Sequence, residues 1–113
     1  LDNRQQVEAL APRFAAMTPG EHKVSVTARG EAEYDFVSRF FCPGDGVPED
    51  PVTGSTHSML IPYWGAKLNK TDLLARQVSA RSGELRCQWR DDRVLISGQA
   101  TTYLRGTVYL RES

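Results

Sequence analysis

Apolar residues recur at three- and four-residue intervals over residues 3–17, at Val7, Leu10, Ala11 and Phe14, which predicts one face of a helix. Pro12 falls inside that pattern and lacks the N–H a helix interior needs, so two short pieces are expected. Thr18-Pro19-Gly20 then stops it. Over 22–28 the pattern changes to alternation, with Val24 and Val26 set between polar neighbours, the signature of a half-buried strand. Gly30-Glu31 predicts a turn, and 34–42, dense in aromatic and β-branched residues, a second and more deeply buried strand. A helical pattern returns from Thr53 to Leu68 with apolar positions at Met59, Leu60, Tyr63, Trp64 and Leu68, a helix covered on most sides, bent or loosened at Pro62. Lys67 and Lys70 sit near its C-terminal end, where positive charge suits the helix dipole. Strand patterns follow at 74–79, 84–89, 94–97 and 101–110, separated by Ser82-Gly83, Asp91-Asp92 and Gly98.

These elements predict an α+β fold: an antiparallel sheet curled around one largely buried helix, with a second helix outside. With 113 residues the chain makes one domain, in which residues 1–20 read as an outer helix or a link and 21–113 as a roll. It opens on Leu1-Asp2-Asn3 and passes straight into a helical pattern, as a domain cut from a longer protein would.

Charge narrows the partners. Lys plus Arg number 14 and Asp plus Glu number 14, so no basic excess favours nucleic acid or an anionic membrane. No apolar run approaches the roughly 20 residues of a membrane span, and no leader-like segment opens the sequence. Cys42 and Cys87 lie too far apart to form a metal-ligand cluster; reduced thiols and a cytoplasmic location are expected.

The segment 43–51 differs from all others. It carries three prolines, two glycines and the acids Asp45, Glu49 and Asp50, which predicts an ordered loop. It runs into Thr53-Gly54-Ser55-Thr56, the predicted start of the central helix. The first N–H groups of a helix have no internal partner and lie at the positive end of its dipole. Gly54, Ser55 and Thr56 are therefore placed to offer N–H donors, and Ser55 its hydroxyl, to a small carboxylate. Asp50, just before them, would be driven toward its neutral, hydrogen-donating form by a bound anion. A plainer reading stands beside this one: Asp, Thr and Ser at a helix start are ordinary caps. His57, one turn into the helix, is equally readable as a core histidine bonded to a carbonyl. Arg39 is placed to anchor the acidic loop through Asp45 or Glu49, or else to meet a substrate carboxylate.

Glu49-Asp50-Pro51-Val52-Thr53-Gly54-Ser55 followed by His57, with Ser38-Arg39-Phe40-Phe41 and Gly46 before it, resembles the signature of the phenazine-biosynthesis-like (PhzF-type) family. The resemblance continues through Pro62-Tyr63-Trp64, the segment from Gln77 to Gly83, and the segment from Arg93 to Gly98. It implies one half of a diaminopimelate-epimerase-like fold, two similar domains each curling a sheet around a helix, with the active site between them. It also implies an isomerase that moves a proton on a small, cyclic carboxylic acid without metal or organic cofactor. Matched residue by residue, Asp50 and Ser55 are the catalytic candidates, with Gly54, Thr53, Thr56 and His57 as substrate-binding candidates. The family's acid/base glutamate belongs to the other domain, so this chain alone is expected to be inactive. A missing N-terminal domain and a homodimer are the expected protein partners. A non-catalytic acid-binding or partner-binding module on the same fold is the alternative. Thr56 and Ser82 depart from the family's more usual Ala and Gly.

Overall fold

The computed structural model describes residues 1–17 and 23–111. The expected stop at residues 18–20 and the first expected strand residue, His22, lie outside the described residues.

The N-terminal pattern resolves into helix α1 (Arg4–Ala9) and a separate 3-10 turn (Phe14–Ala16), split where Pro12 forbids continuation. Asn3 caps α1, its side chain accepting from the Gln6 N–H at 2.9 Å. Strands β1 (Val24–Arg29), β2 (Phe36–Phe41) and the two-residue β3 (Glu49–Asp50) precede helix α2 (Gly54–Leu68). Strands β4 (Asp72–Gln77), β5 (Gly83–Arg90) and β6 (Arg93–Ser97) follow it.

All six strands form one curved sheet in the order β1-β2-β4-β5-β6, with β3 attached to β2. The α+β class is as read from the sequence, but the sheet is mixed rather than wholly antiparallel. β2 and β4 run parallel, Phe36 opposite Ala75 and Ser38 opposite Gln77, because α2 carries the chain back between them as a crossover. β3 takes the length of β2 that β4 leaves open, Phe40 opposite Asp50 and Phe41 opposite Glu49, and so draws the acidic loop onto the sheet.

Alternation along the strands divides the core. On one face Phe36, Leu73, Ala75, Leu85 and Cys87 meet Leu60, Ile61 and Trp64 of α2. On the other, Val37 and Ala28 pack with Val7 of α1. Phe36 stacks on Trp64 with centroids 5.8 Å apart, and the Trp64 indole N–H donates to Thr27 Oγ1 at 2.9 Å. The expectation that α2 is covered on most sides is corrected on one stripe. Met59 (67%) and Tyr63 (53%) face solvent, because one sheet can bury only the opposite side of the helix. Pro62 sits within the helical span without ending it.

Residues 101–110 do not form the expected strand. Residues 98–111 run on from β6 with no turn, bend or bridge, since no sheet edge among the described residues lies beside them. Among the described residues, no helix is long and apolar enough to cross a membrane.

A groove at the start of the central helix

The loop before α2 is held from three sides. Arg39 makes a two-pronged contact with Glu49, at 2.7 and 2.9 Å, and its Nη1 donates to the carbonyls of Val7 (3.0 Å) and Leu10 (2.8 Å). That guanidinium ties the end of α1 to the loop, so the anchoring role through Glu49 holds. Its donors are spent there and do not face a substrate; Asp45 pairs instead with Lys23, at 3.0 Å.

The second tie is Gln77, at the inward end of β4 and fully buried. Its Oε1 accepts the Thr53 N–H at 2.7 Å, while Nε2 donates to the Asp50 carbonyl at 2.8 Å and to Thr53 Oγ1 at 3.1 Å. The third is the Ser79 hydroxyl, which donates to the Pro51 carbonyl at 2.8 Å. Sequence reasoning passed over Gln77. Its signal was a polar residue at the third inward position of an alternation that begins Leu73, Ala75.

Thr53 occupies the N-cap position of α2, yet its side chain makes no capping bond to the helix. The hydroxyl donates instead to Asp50 Oδ2 at 2.6 Å. The plain capping reading of this segment is therefore not realised at Thr53. The helix start keeps the orphan N–H groups that every α-helix has, and their partial positive charge, without a side-chain acceptor from its own N-cap.

The helix start lies between two open grooves. One, of about 510 Å³, is lined by Asp50, Thr53, Ser55, Arg81 and Cys42 among others. The other, of about 590 Å³, is lined by Gly54, Val52, Gly83, Leu85 and Ile96 among others. The chemistry lies in the smaller, lined by the half-buried Asp50 and the exposed Ser55 and Arg81. Arg81, read from sequence as a solvated surface cation, makes no ion pair among the described residues and lines that groove.

The candidates thus separate. Asp50, Thr53 and Ser55 come together in one groove, and Gly54 opens to its neighbour. Thr56 and His57 do not reach either. Thr56 is 2% exposed and its hydroxyl bonds Ser25, so it does not narrow the groove as a bulkier residue there would. His57 has no exposed surface: Nδ1–H donates to the Thr53 carbonyl at 2.6 Å, and Nε2 faces the Ser38 hydroxyl at 3.4 Å. Burial holds its imidazole below the ordinary histidine range and hence neutral. The α-helical period turns positions 56 and 57 toward the sheet and away from both grooves. Cys42 is also no nucleophile at neutral pH. Burial, and then the Asp45 and Asp50 carboxylates, push its thiol up. Ser82 adopts φ 47°, the left-handed region that glycine enters without steric cost, a physical reason for a glycine at that place in the related pattern.

The family profile described as phenazine biosynthesis-like protein matches residues 1–106. An uncharacterized isomerase of Pseudomonas aeruginosa is 50% identical over 111 residues, covering 97% of this chain and 42% of that protein. Phenazine biosynthesis-like domain-containing protein 2 of Mus musculus is 51% identical over 89 residues, 74% of this chain and 31% of that protein. The crystal structure of a PhzF family protein from Enterococcus faecalis superposes with a TM-score of 0.84 at 45% identity, over 97% of this chain and 43% of that one. The chain spans about two-fifths of the length of these bacterial relatives.

Proposed function

The chain belongs to the phenazine biosynthesis-like protein family, and from that premise we propose that it forms the carboxylate-binding wall of a cofactor-independent isomerase. The substrate is a small, cyclic carboxylic acid, bound in a cleft that the rest of a longer polypeptide completes. Ser55, with the Gly54 amide beside it, takes the substrate carboxylate at the start of α2. Asp50 orients the ring by hydrogen bonding. The proton itself is carried by a group outside this chain, since general acid–base transfer needs a carrier within hydrogen-bond reach of the substrate. Among the described residues, no glutamate lines the groove that holds Asp50 and Ser55. The same observation supports the second reading, an acid-binding module without turnover.

The reading rests on one observation above the others: the residue placed to cap α2 bonds Asp50 and Gln77 instead, leaving the helix start open beside a carboxylate and a hydroxyl. The two buried cysteines, neither in a disulfide, fit the reducing cytoplasm in which we place the protein.

The test is deuterium incorporation from D₂O into candidate cyclic acids by the full-length polypeptide. Ser55→Ala is expected to raise KM about tenfold, the worth of one hydrogen bond to a charged group. Asp50→Asn, which keeps an acceptor for Thr53, is expected to lower kcat with the fold intact. Unchanged turnover and affinity in both variants would refute the assignment. Incorporation by neither wild type nor variant, with the acid still bound, would select the module without turnover.

A further inference from the structure

The groove that holds Ser55 is lined by the charged residues Lys23, Asp45, Asp50 and Arg81. Lys23 and Asp45 pair with each other at 3.0 Å, so their charges cancel. The Asp50 carboxylate accepts the Thr53 hydroxyl at 2.6 Å, a donor without charge. Arg81 forms no ion pair among the described residues.

The backbone around Arg81 is held although its side chain is exposed. Arg81 lies in the connection between β4 and β5, residues 78–82. At the start of that connection the Val78 N–H donates to the Ser38 carbonyl at 2.8 Å. The Ser79 hydroxyl then works in two directions, donating to the Pro51 carbonyl at 2.8 Å and accepting the Ser82 N–H at 3.0 Å. One hydroxyl thus closes the turn that contains Arg81 and fastens it to the loop that carries Asp50. The cation is rooted beside the groove by the same contacts that shape the groove.

A carboxylate bound at Ser55 would bring a second acidic group into a groove that already holds Asp50, and like charges in one groove repel. Ser55 offers a dipole and no charge. The start of α2 supplies the equivalent of about half a unit of positive charge. With Lys23 held by Asp45, the balancing charge falls to Arg81, whose planar guanidinium can present two parallel N–H donors to the two oxygens of a carboxylate.

We infer, on the function proposed above, that Arg81 is a further substrate-binding residue: it pairs with the carboxylate that Ser55 takes and makes the groove select anionic rings over neutral ones. The competing partner for its charge is a carboxylate from elsewhere in the longer polypeptide, which would secure the fold and not the ligand.

The experiment is calorimetric titration of the full-length polypeptide with benzoate and with benzamide, rings of one size that differ in charge, at low and high salt. The wild type is expected to prefer benzoate roughly tenfold or more, and to lose part of that preference as salt screens the pair. Arg81→Met, which keeps a long stem without the charge, is expected to abolish the preference and its salt dependence. Benzoate affinity should fall roughly tenfold or more, the worth of a hydrogen bond to a charged group, with benzamide unchanged. Arg81→Lys should recover part of the preference, since a point charge replaces the fork. Urea unfolding of both variants is expected to match wild type, the side chain being exposed. A preference kept in Arg81→Met but lost in Ser55→Ala would overturn the inference and leave the function it rests on standing. A lowered unfolding midpoint with the preference kept would assign Arg81 to a carboxylate of the polypeptide, and overturn it as well. Benzoate bound no better than benzamide by the wild type would overturn both.

Discussion

Gln77→Leu tests whether the loop before α2 is held as described. The side chain is fully buried, and its replacement removes the acceptor of the Thr53 N–H and the donor to the Asp50 carbonyl. Each buried polar group left unpaired costs about 1–3 kcal/mol. Thr53 is 6% exposed and bears the full penalty, whereas the half-buried Asp50 carbonyl recovers part of its loss from water. Leucine returns about 1 kcal/mol through its apolar surface. The net loss is about 2 kcal/mol, large against the 5–15 kcal/mol that domains typically possess. Urea unfolding at pH 7 should show a lower midpoint with an unchanged slope, since the surface exposed on unfolding is the same. Gln77→Glu sharpens the test. Its carboxyl keeps an acceptor for the Thr53 N–H but must hold a proton to donate to the Asp50 carbonyl. Its folded-state pKa is therefore raised, so its deficit relative to wild type should grow as pH rises above about 4.3. A cost for leucine below about 1 kcal/mol, or a pH-independent deficit for glutamate, would refute the account.

Two further outcomes follow from the core. His57 is held neutral by burial, so below about pH 6.5 the unfolded chain takes up a proton that the folded one refuses, and stability falls by up to about 1.4 kcal/mol per pH unit. His57→Asn should flatten denaturant-measured stability between pH 6.5 and 5; an unchanged slope would contradict that origin. Gly30→Ala places a methyl 2.3 Å from the Tyr34 carbonyl oxygen, a backbone atom that cannot swing aside, and should cost more than about 2 kcal/mol by thermal unfolding. A loss under about 0.5 kcal/mol would mean the turn has room the structure does not show.

The elements legible in the sequence are those whose pattern has one solution. Alternation in β4 and β5 and the helical period of α2 each fix a buried face, and the observed core lies on it. The two-residue hairpin at Asp91-Asp92 was legible from composition, and Asp91 adopts the left-handed φ of 52° that such turns need. Residues 101–110 were read as a strand from the same kind of signal, correctly as to propensity. A strand is a property of a pair, and the partner edge was not in the pattern. Met59 and Tyr63 failed for a related reason: hydropathy shows that a helix has two apolar stripes, not that only one finds a cover. At the site, the sequence grouped Asp50, Ser55, Thr56 and His57 but could not tell which of them share a groove. One residue of register on a helix turns a side chain by about 100°, enough to move it from groove to core.

That division bears on how the site would work. Asp50 is fixed three times over, by β3 pairing with Phe40, by the Gln77 amide on its carbonyl and by the Thr53 hydroxyl on its carboxylate. Ser55 is exposed, and among the described residues its hydroxyl makes no hydrogen bond. A ligand meeting both finds one group already placed and another that must be ordered on binding, at about 0.5–1.5 kcal/mol for a side chain with several rotamers. The placed group is suited to orienting a ring, where an error of an ångström is expensive in rate. The adaptable one is suited to a carboxylate, whose two oxygens accept a donor from many directions. Gln77 and Arg39, which hold the loop against β4 and the end of α1, therefore govern the geometry of the site without lining it. Loosening either should degrade orientation before it degrades affinity.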